Sequence, residues 1–245
     1  VSGVLTISFN VANRILHWIM NTRKEYVGIL KLHAEVKLED LKKVFSEFEA
    51  EIFQTPPQKA AVKRQIRKRR IYELKIIEIK GRYVLFRALT DAGTYIRKLC
   101  FDIGEALGVG ASMVELRRTK SGSFTEEDAV TLNQLAYALH LYKTQGDEDK
   151  LYKYFVPVER AINDLPVIIV RESAATNLYK GAALTMPGVL CASKNLERNK
   201  EVLVYSQKGD LIEIAKAKKG INDILNSKSG IVAVPVRVLD PIKQD

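Results

Sequence analysis

Residues 91–108 read "DAGTYIRKLCFDIGEALG". Gly93 lets the chain turn sharply. After it, Tyr95, Ile96, Leu99, Cys100, Ile103 and Leu107 recur at helical spacing. The pattern predicts a helix that opens at Thr94 and buries this stripe. Arg97 falls off the stripe, in the first turn. A cation there opposes the helix dipole, so its placement asks for a reason beyond the helix, such as a carboxylate in a cleft. Asp91, just upstream, is the plain structural partner for it. Asp102 is the other acid nearby and reads as exposed.

Outward from this helix the chain reads as α+β. Upstream, "NVANRILHWIMNT" has helical spacing with Asn10 as N-cap, and "YVGILKLH" is strand-like. "LEDLKKVFSEFEAEIF" is an amphipathic helix with Leu38, Leu41, Val44, Phe45 and Phe48 on one face. "RRIYELKIIEI" and "RYVLFRAL" are β-rich runs split by Lys80-Gly81, the signature of a hairpin. Downstream, "SMVELRRT" reads as a short strand and "LNQLAYALHLY" as a helix. Beyond Pro166 the texture changes. "VIIV", "EVLVYS", "LIEIAKA" and "IVAVPVRVL" alternate with Gly, Pro, Asn and Lys turns, which predicts a small β-rich domain. The expected division is a mixed α/β domain over 1–164 and a β-rich domain over 165–245.

The composition narrows the chemistry. Among 245 residues, 39 are Lys or Arg and 29 Asp or Glu, a net charge of +10 that points to a polyanionic partner, nucleic acid before membrane. No apolar run approaches the roughly 20 residues that span a bilayer, and no signal peptide is visible, so a cytoplasmic setting is expected. Two distant cysteines and three scattered histidines fit neither a zinc site nor a disulfide framework. No Gly-rich phosphate loop, HExxH or GxSxG occurs. Most hydrolase and nucleotide-binding readings therefore lack support.

Three further segments carry candidate contacts. In "PPQKAAVKRQIRKRR", residues 56–70, six of the eight positions from 63 to 70 are basic: Lys63, Arg64, Arg67, Lys68, Arg69 and Arg70. The two prolines favour an extended loop entering a strand at Ile71. Such a run neutralises several phosphates and releases their counterions; its plain alternative is a solvated loop. In "KEYVGILKLH", Tyr26 follows Lys24 by two residues. An aromatic face beside a cation suits a base turned out of its stack, and a half-buried strand tyrosine is the plain alternative. "SMVELRRTKSGSF" ends in Arg117, Arg118 and Lys120, a basic strand end.

Together these segments resemble the TruB-type tRNA pseudouridine synthases, within them the archaeal and eukaryotic dyskerin branch, the catalytic subunit of H/ACA guide-RNA particles. "KEYVGILKLH" is similar to that family's Lys-x-Tyr strand, "QTPPQKAAVKRQIRKRRIYELKIIEI" to its PP-x-x-x-AVKR-x-x-R-x-R segment, and "AGTYIRKLCFDIGEALGVGASMVELRRTKSG" to its GTYIR helix and ELRR strand. "LPVIIVRESAATNLYKGAALTMPGV" resembles the start of a PUA domain, an RNA-binding pseudobarrel.

The resemblance implies isomerisation of uridine to pseudouridine through one aspartate, without metal or cofactor. It implies that Tyr26 stacks on the turned-out uracil, with Lys24 beside it. Arg97 would pair with the aspartate, Tyr95 would line the pocket as a candidate for proton transfer at C5, and Leu116 would pack against the base. It implies RNA partners (tRNA, rRNA, H/ACA guide RNA), small accessory proteins by analogy, and no membrane. In the family the aspartate lies in a motif like G-T-L-D-P-x-V-S-G-V-L. This chain begins "VSGVL", so the aspartate would fall three residues before Val1, and the chain as written is expected to bind RNA without turning it over. Ser112 stands where many dyskerin-like members carry His. The alternatives are a non-catalytic RNA-binding scaffold and a generic basic ribosome-associated protein. The latter explains the charge but not four motifs in order.

Overall fold

The computed structural model describes residues 2–57 and 63–239. The chain forms two compact units. The first holds the residues up to Ile7 and Trp18–Val156; the second holds Ser8–His17 and the chain from Pro157 onward. The units are therefore not contiguous in sequence, and the ten residues from Ser8 pack with the C-terminal part.

The first unit is built on one sheet. Its strands are β1 (Ser2–Gly3), β2 (Lys24–Leu32), β3 (Glu51–Gln54), β4 (Arg67–Lys80), β5 (Tyr83–Thr90), β6 (Ala111–Ser121) and β7 (Phe124–Thr125). The spatial order is β1-β6-β2-β5-β4-β3, with β7 added to β6. β1 runs parallel to β6 and the other pairs are antiparallel. The helices of this unit are the part of α1 (Leu16–Asn21) from Trp18 onward, α2 (Leu38–Glu47), α3 (Ile96–Ala106), α4 (Leu132–Gln145) and α5 (Glu148–Tyr152). Leu41, Val44 and Phe45 of α2 and Ile96, Leu99, Cys100 and Ile103 of α3 pack with Leu30, Leu32, Leu74, Val84 and Phe86 of the sheet into one core. In β2 the even-numbered residues from Lys24 to Leu32 lie on that core side, the period-2 alternation of a strand with one buried face.

Several local expectations shift. Asn10 does not cap an α-helix; it opens a 3-10 turn, Asn10–Ile15, with a φ of 48°, and the α-helical turns begin only at Leu16. α2 stops at Glu47, and Glu51–Gln54 leave it to form β3, because their backbone finds β4 as a ladder partner. The basic run is not a loop up to Ile71: Arg67–Arg70 already pair with Glu51–Gln54. Residues 58–62 of that stretch lie outside the described residues. β6 spans eleven residues rather than a short stretch. The Lys80-Gly81 hairpin is present between β4 and β5.

The second unit contains β8 (Val167–Val170), α6 (Glu172–Tyr179), β9 (Leu184–Thr185), β10 (Val189–Ala192), β11 (Glu201–Ser206), β12 (Leu211–Ala217), α7 (Ile221–Asn226) and β13 (Ile231–Val238). All four strands expected from the sequence are there. The sheet order is β10-β8-β11-β12-β13-β9, with β8 and β11 parallel. Ile168, Val170, Val202, Val204, Ile212 and Ala215 form the centre of its core. Arg14 of the 3-10 turn donates to the Val238 carbonyl at 3.1 Å, tying the early segment to the last strand.

Candidate active site

The sheet register gathers the candidate residues at one end. Lys24, the first residue of β2, lies opposite Thr90, the last of β5, and opposite Ser121, the last of β6. Tyr26 lies opposite Arg118, Val27 opposite Arg117 and Gly28 opposite Leu116. Thr90 in turn faces Ile71, beside the basic start of β4. Five residues after Thr90 the chain reaches Tyr95 and enters α3. The starts of β2, β4 and α3 and the ends of β5 and β6 therefore share one edge. A 340 Å³ cleft lined by Leu32, Val36, Leu38, Leu41, Ile79 and Gly81 lies at the opposite end, and a 570 Å³ cavity is lined wholly by second-unit residues such as Asn195, Asn199 and Lys216.

Tyr26 is half-buried against the core. Burial lifts its phenol above the usual value, and the charge and hydrogen bond of Arg118 pull the other way. Arg118 is itself held by the chain, its Nε donating to the Val4 carbonyl at 2.6 Å. Arg117 is exposed and pairs through Nε with Glu126. Gly28 is needed for close packing: a Cβ there would stand 2.8 Å from Phe86 Cζ and 3.1 Å from Leu116 Cδ1. That closeness seats Leu116, 7% exposed, in the core beside β2.

Lys24 behaves differently from a solvent-facing cation. It is 7% exposed, and its Nζ donates to the carbonyls of Ile19, Met20 and Thr22 at 3.1, 3.3 and 2.9 Å and to Thr22 Oγ1 at 2.9 Å. It closes the C-terminal end of α1, where carbonyls lack intrahelical partners. Burial and, second, the charge of Arg118 bring its pKa down to about 8. The ammonium is thus engaged by backbone, not held free beside the Tyr26 ring.

The turn before α3 is fixed at several points. Gly93 has a φ of 75°, and the Arg69 guanidinium lies against it, 3.2 Å from where a Cβ would be. The Asp91 carbonyl accepts from the Thr94 hydroxyl at 2.8 Å. Tyr95 stays extended, φ −89° and ψ 98°, so α3 begins at Ile96 and not at Thr94. The cause is Gln54, whose amide bonds both the N–H and the C=O of Tyr95. Arg97 is exposed, and no described residue is hydrogen-bonded or ion-paired to its side chain. Asp91 is not its partner: that carboxylate accepts Arg70 N–H at 2.8 Å and the Tyr72 hydroxyl at 2.9 Å. Asp102 is not free either, since it pairs with Lys98 one turn back.

Of the basic run, Lys63 and Arg64 are exposed, Lys68 pairs with Glu51 at 2.8 Å, and Arg69 is partly buried with its Nε unpartnered. Among the described residues, no group of three or more His, Cys, Asp or Glu is gathered as a metal site, and no helix is long and apolar enough to cross a membrane.

Comparison with known proteins decides the family. Residues 1–96 match the N-terminal domain of TruB family pseudouridylate synthases, residues 97–163 the tRNA pseudouridylate synthase B C-terminal domain, and residues 166–239 the PUA domain. A probable tRNA pseudouridine synthase B of Methanosarcina barkeri is 44% identical over 239 residues, covering 98% of this chain and 71% of that protein. The chain belongs to the TruB family of pseudouridylate synthases.

This pseudouridylate synthase is also 42% identical to a probable tRNA pseudouridine synthase B of Korarchaeum cryptofilum, over 98% of this chain and 74% of that protein. Among solved structures it superimposes on a Cbf5-Nop10-Gar1 complex with a TM-score of 0.90 and 38% identity, covering 98% of this chain and 73% of that one. An H/ACA ribonucleoprotein bound to a substrate RNA containing 2'-deoxyuridine follows at 0.87 and 35%, covering 96% and 71%. The family and the PUA domain are those the motifs implied. Gln54, Tyr72 and Asp91 were not singled out for these roles from the sequence. The one signal for Gln54 is a polar residue that closes a β-prone stretch just before Thr55-Pro56-Pro57.

Proposed function

We propose that the edge of this TruB-family chain where β2, β6 and α3 meet, completed by the family's aspartate, isomerises a uridine in RNA to pseudouridine. The observation that carries this is the register that sets Tyr26 opposite Arg118 on the edge where the Tyr95–Arg97 turn opens α3. In the reaction the N1–C1′ bond breaks, the uracil turns, a C5–C1′ bond forms, and a proton leaves C5 while N1 regains one. No redox change occurs. Tyr26 offers its ring to the base. Arg97, unpaired among the described residues, is available to orient the family's aspartate and hold it ionised. Tyr95 lines the pocket, and Leu116 closes the floor beside Gly28. Lys24 supports this edge from beneath by holding the end of α1. Lys63, Arg64, Arg67, Lys68, Arg69 and Arg70, with Arg117 and Arg118, supply charge for the phosphates.

Residues 1–164 form the catalytic part in this proposal, and 165–245 add RNA affinity through the PUA domain. The likeness to a Cbf5-Nop10-Gar1 complex and to an RNA-bound H/ACA particle supports small accessory proteins and RNA as partners, the names of the sequence relatives support tRNA as a substrate, and guide RNA and rRNA are proposed with them. A cytoplasmic setting is proposed with it, supported by those RNA substrates and by the exposed free thiol of Cys191. The test is tritium release from RNA labelled at uridine C5, using full-length protein that carries the family's aspartate upstream of Val1. Release with conversion to pseudouridine is the expected result. RNA binding without release from that protein favours the scaffold alternative.

A further inference from the structure

β3 ends at Gln54, and the amide of that residue holds the backbone of Tyr95, 41 positions away, from both sides. Oε1 accepts the Tyr95 N–H at 2.9 Å, and Nε2 donates to the Tyr95 carbonyl at 3.2 Å. Gln54 is 2% exposed. An amide side chain that exchanges one donor and one acceptor with a single residue imitates a rung of an antiparallel ladder. Here the rung continues β3 by one step, onto a residue that is not in any strand.

The consequence is geometric. The Tyr95 carbonyl also accepts the Leu99 N–H at 3.0 Å, the first rung of α3. Both lone pairs of that oxygen are therefore used, one fixing it to β3 and one to the helix. The amide keeps Tyr95 extended and sets where α3 begins, hence the direction of Tyr95 and of Arg97 in the first turn. Two further contacts brace the same turn from β4: Arg69 against Gly93, and Arg70 N–H on Asp91. Those act before Thr94; Gln54 alone among them grips Tyr95 itself.

We propose that Gln54 is a positioning residue for catalysis, acting through the Tyr95 backbone on the Tyr95 and Arg97 side chains. It touches neither the base nor the reacting atoms. The inference rests on the pseudouridine synthase reading given above.

Gln54→Glu separates this role from simple packing. A protonated carboxyl still accepts from the Tyr95 N–H and donates to its carbonyl. An ionised one loses the donor and sets a negative oxygen against the carbonyl dipole. Burial raises a carboxyl pKa, so this ionisation is displaced upward from the usual carboxylate range. In full-length protein, kcat of Gln54→Glu is expected near the wild-type value at the acid end of the profile and roughly tenfold or more below it at the alkaline end, with KM for RNA unchanged. The wild type lacks that limb. Gln54→Ala is expected to lose turnover across the range, with RNA affinity retained and amide exchange at Tyr95 accelerated. Wild-type kcat in both variants at every pH would overturn the proposal. So would a parallel loss of kcat, RNA affinity and cooperative melting, which marks a residue of the fold only. If the wild type itself releases no C5 tritium, the reaction reading is at fault. Unchanged Tyr95 exchange in Gln54→Ala then overturns the hold by Gln54 separately.

Discussion

The hydroxyl of Tyr72 donates to Asp91 Oδ1 at 2.9 Å, while Arg70 N–H occupies Oδ2 at 2.8 Å. The ring of Tyr72 carries the Arg23 guanidinium 3.8 Å from its centroid. One tyrosine thus links the start of β2 to the turn that opens α3, through a cation on its face and a carboxylate at its tip. Because the Asp91 oxygens are taken, the acid nearest Arg97 upstream does not neutralise it. The arginine placed against the helix dipole is left for another partner.

This separates two sets of substitutions. In full-length protein Arg97→Ala is expected to lower turnover roughly ten- to hundredfold, the equivalent of about 1.5–3 kcal/mol for a hydrogen bond to a charged group. Arg97→Lys is expected to recover little, since an ammonium lacks the planar fork that grips a carboxylate. Asp91→Asn keeps one acceptor, and the Tyr72 hydroxyl can turn to accept from the new amide, so turnover should stay within a few-fold. Steady-state kinetics of the three variants decide it. Equal losses in Asp91→Asn and Arg97→Ala would make Asp91 the functional partner of Arg97.

Lys24 yields a prediction of the opposite kind. Its ammonium serves four oxygens around the end of α1. Lys24→Met leaves those carbonyls without a donor, at a cost of about 1–3 kcal/mol. Thermal melting should shift down, while RNA affinity at a temperature where the variant is folded stays close to wild type. A large drop in affinity with an unchanged melt would return Lys24 to the RNA surface.

The fold was legible where periodicity is strong: the alternation in β2, the Lys80-Gly81 hairpin, the buried stripe of α3 and the four strands beyond Pro166. It was less legible where a partner distant in sequence decides. Glu51–Gln54 leave the helical pattern because β4 supplies a ladder, and α3 starts late because Gln54 reaches Tyr95. Neither pairing has a local signature. Lys24 shows the same limit at the site. Beside Tyr26 in sequence it reads as a cation for a base. Only the fold reveals that α1 ends beneath it, with carbonyls that need a donor.

The basic run divides into two kinds of charge. Lys63 and Arg64 are exposed, whereas Lys68 is paired with Glu51 and Arg69 lies against Gly93. Lys63→Glu with Arg64→Glu should weaken binding about equally for unrelated RNAs and flatten the dependence of log affinity on log salt by about one unit per lost phosphate contact. Lys68→Glu should change the slope less and cost stability instead, through repulsion from Glu51. Affinity titrations across salt concentrations measure both. An unchanged slope in the double variant would mean that those charges are only solvated.

Glu213, in β12, carries the clearest pH signature. It has no exposed surface, and neither carboxylate oxygen has a hydrogen-bond partner. Burial pushes its pKa from 4.5 up to about 7. The sign follows from proton counts. Between about 4.5 and 7 the unfolded chain has lost this proton and the folded chain keeps it, so the folded state binds more protons and stability falls as pH rises. Above 7 the folded state is ionised as well and the loss is complete, on the order of 3 kcal/mol. A side-chain amide does not ionise in this range, so Glu213→Gln should match wild type near pH 4.5 and be more stable at pH 8. Its neighbour across the ladder, Val204 of β11, reports the opening of this part of the sheet. Amide exchange at Val204 should be slower in Glu213→Gln than in wild type at pH 8, once the intrinsic exchange rate at each pH is divided out, and the difference should vanish near pH 4.5. The same difference at both pH values would show that shape, not ionisation, limits this strand.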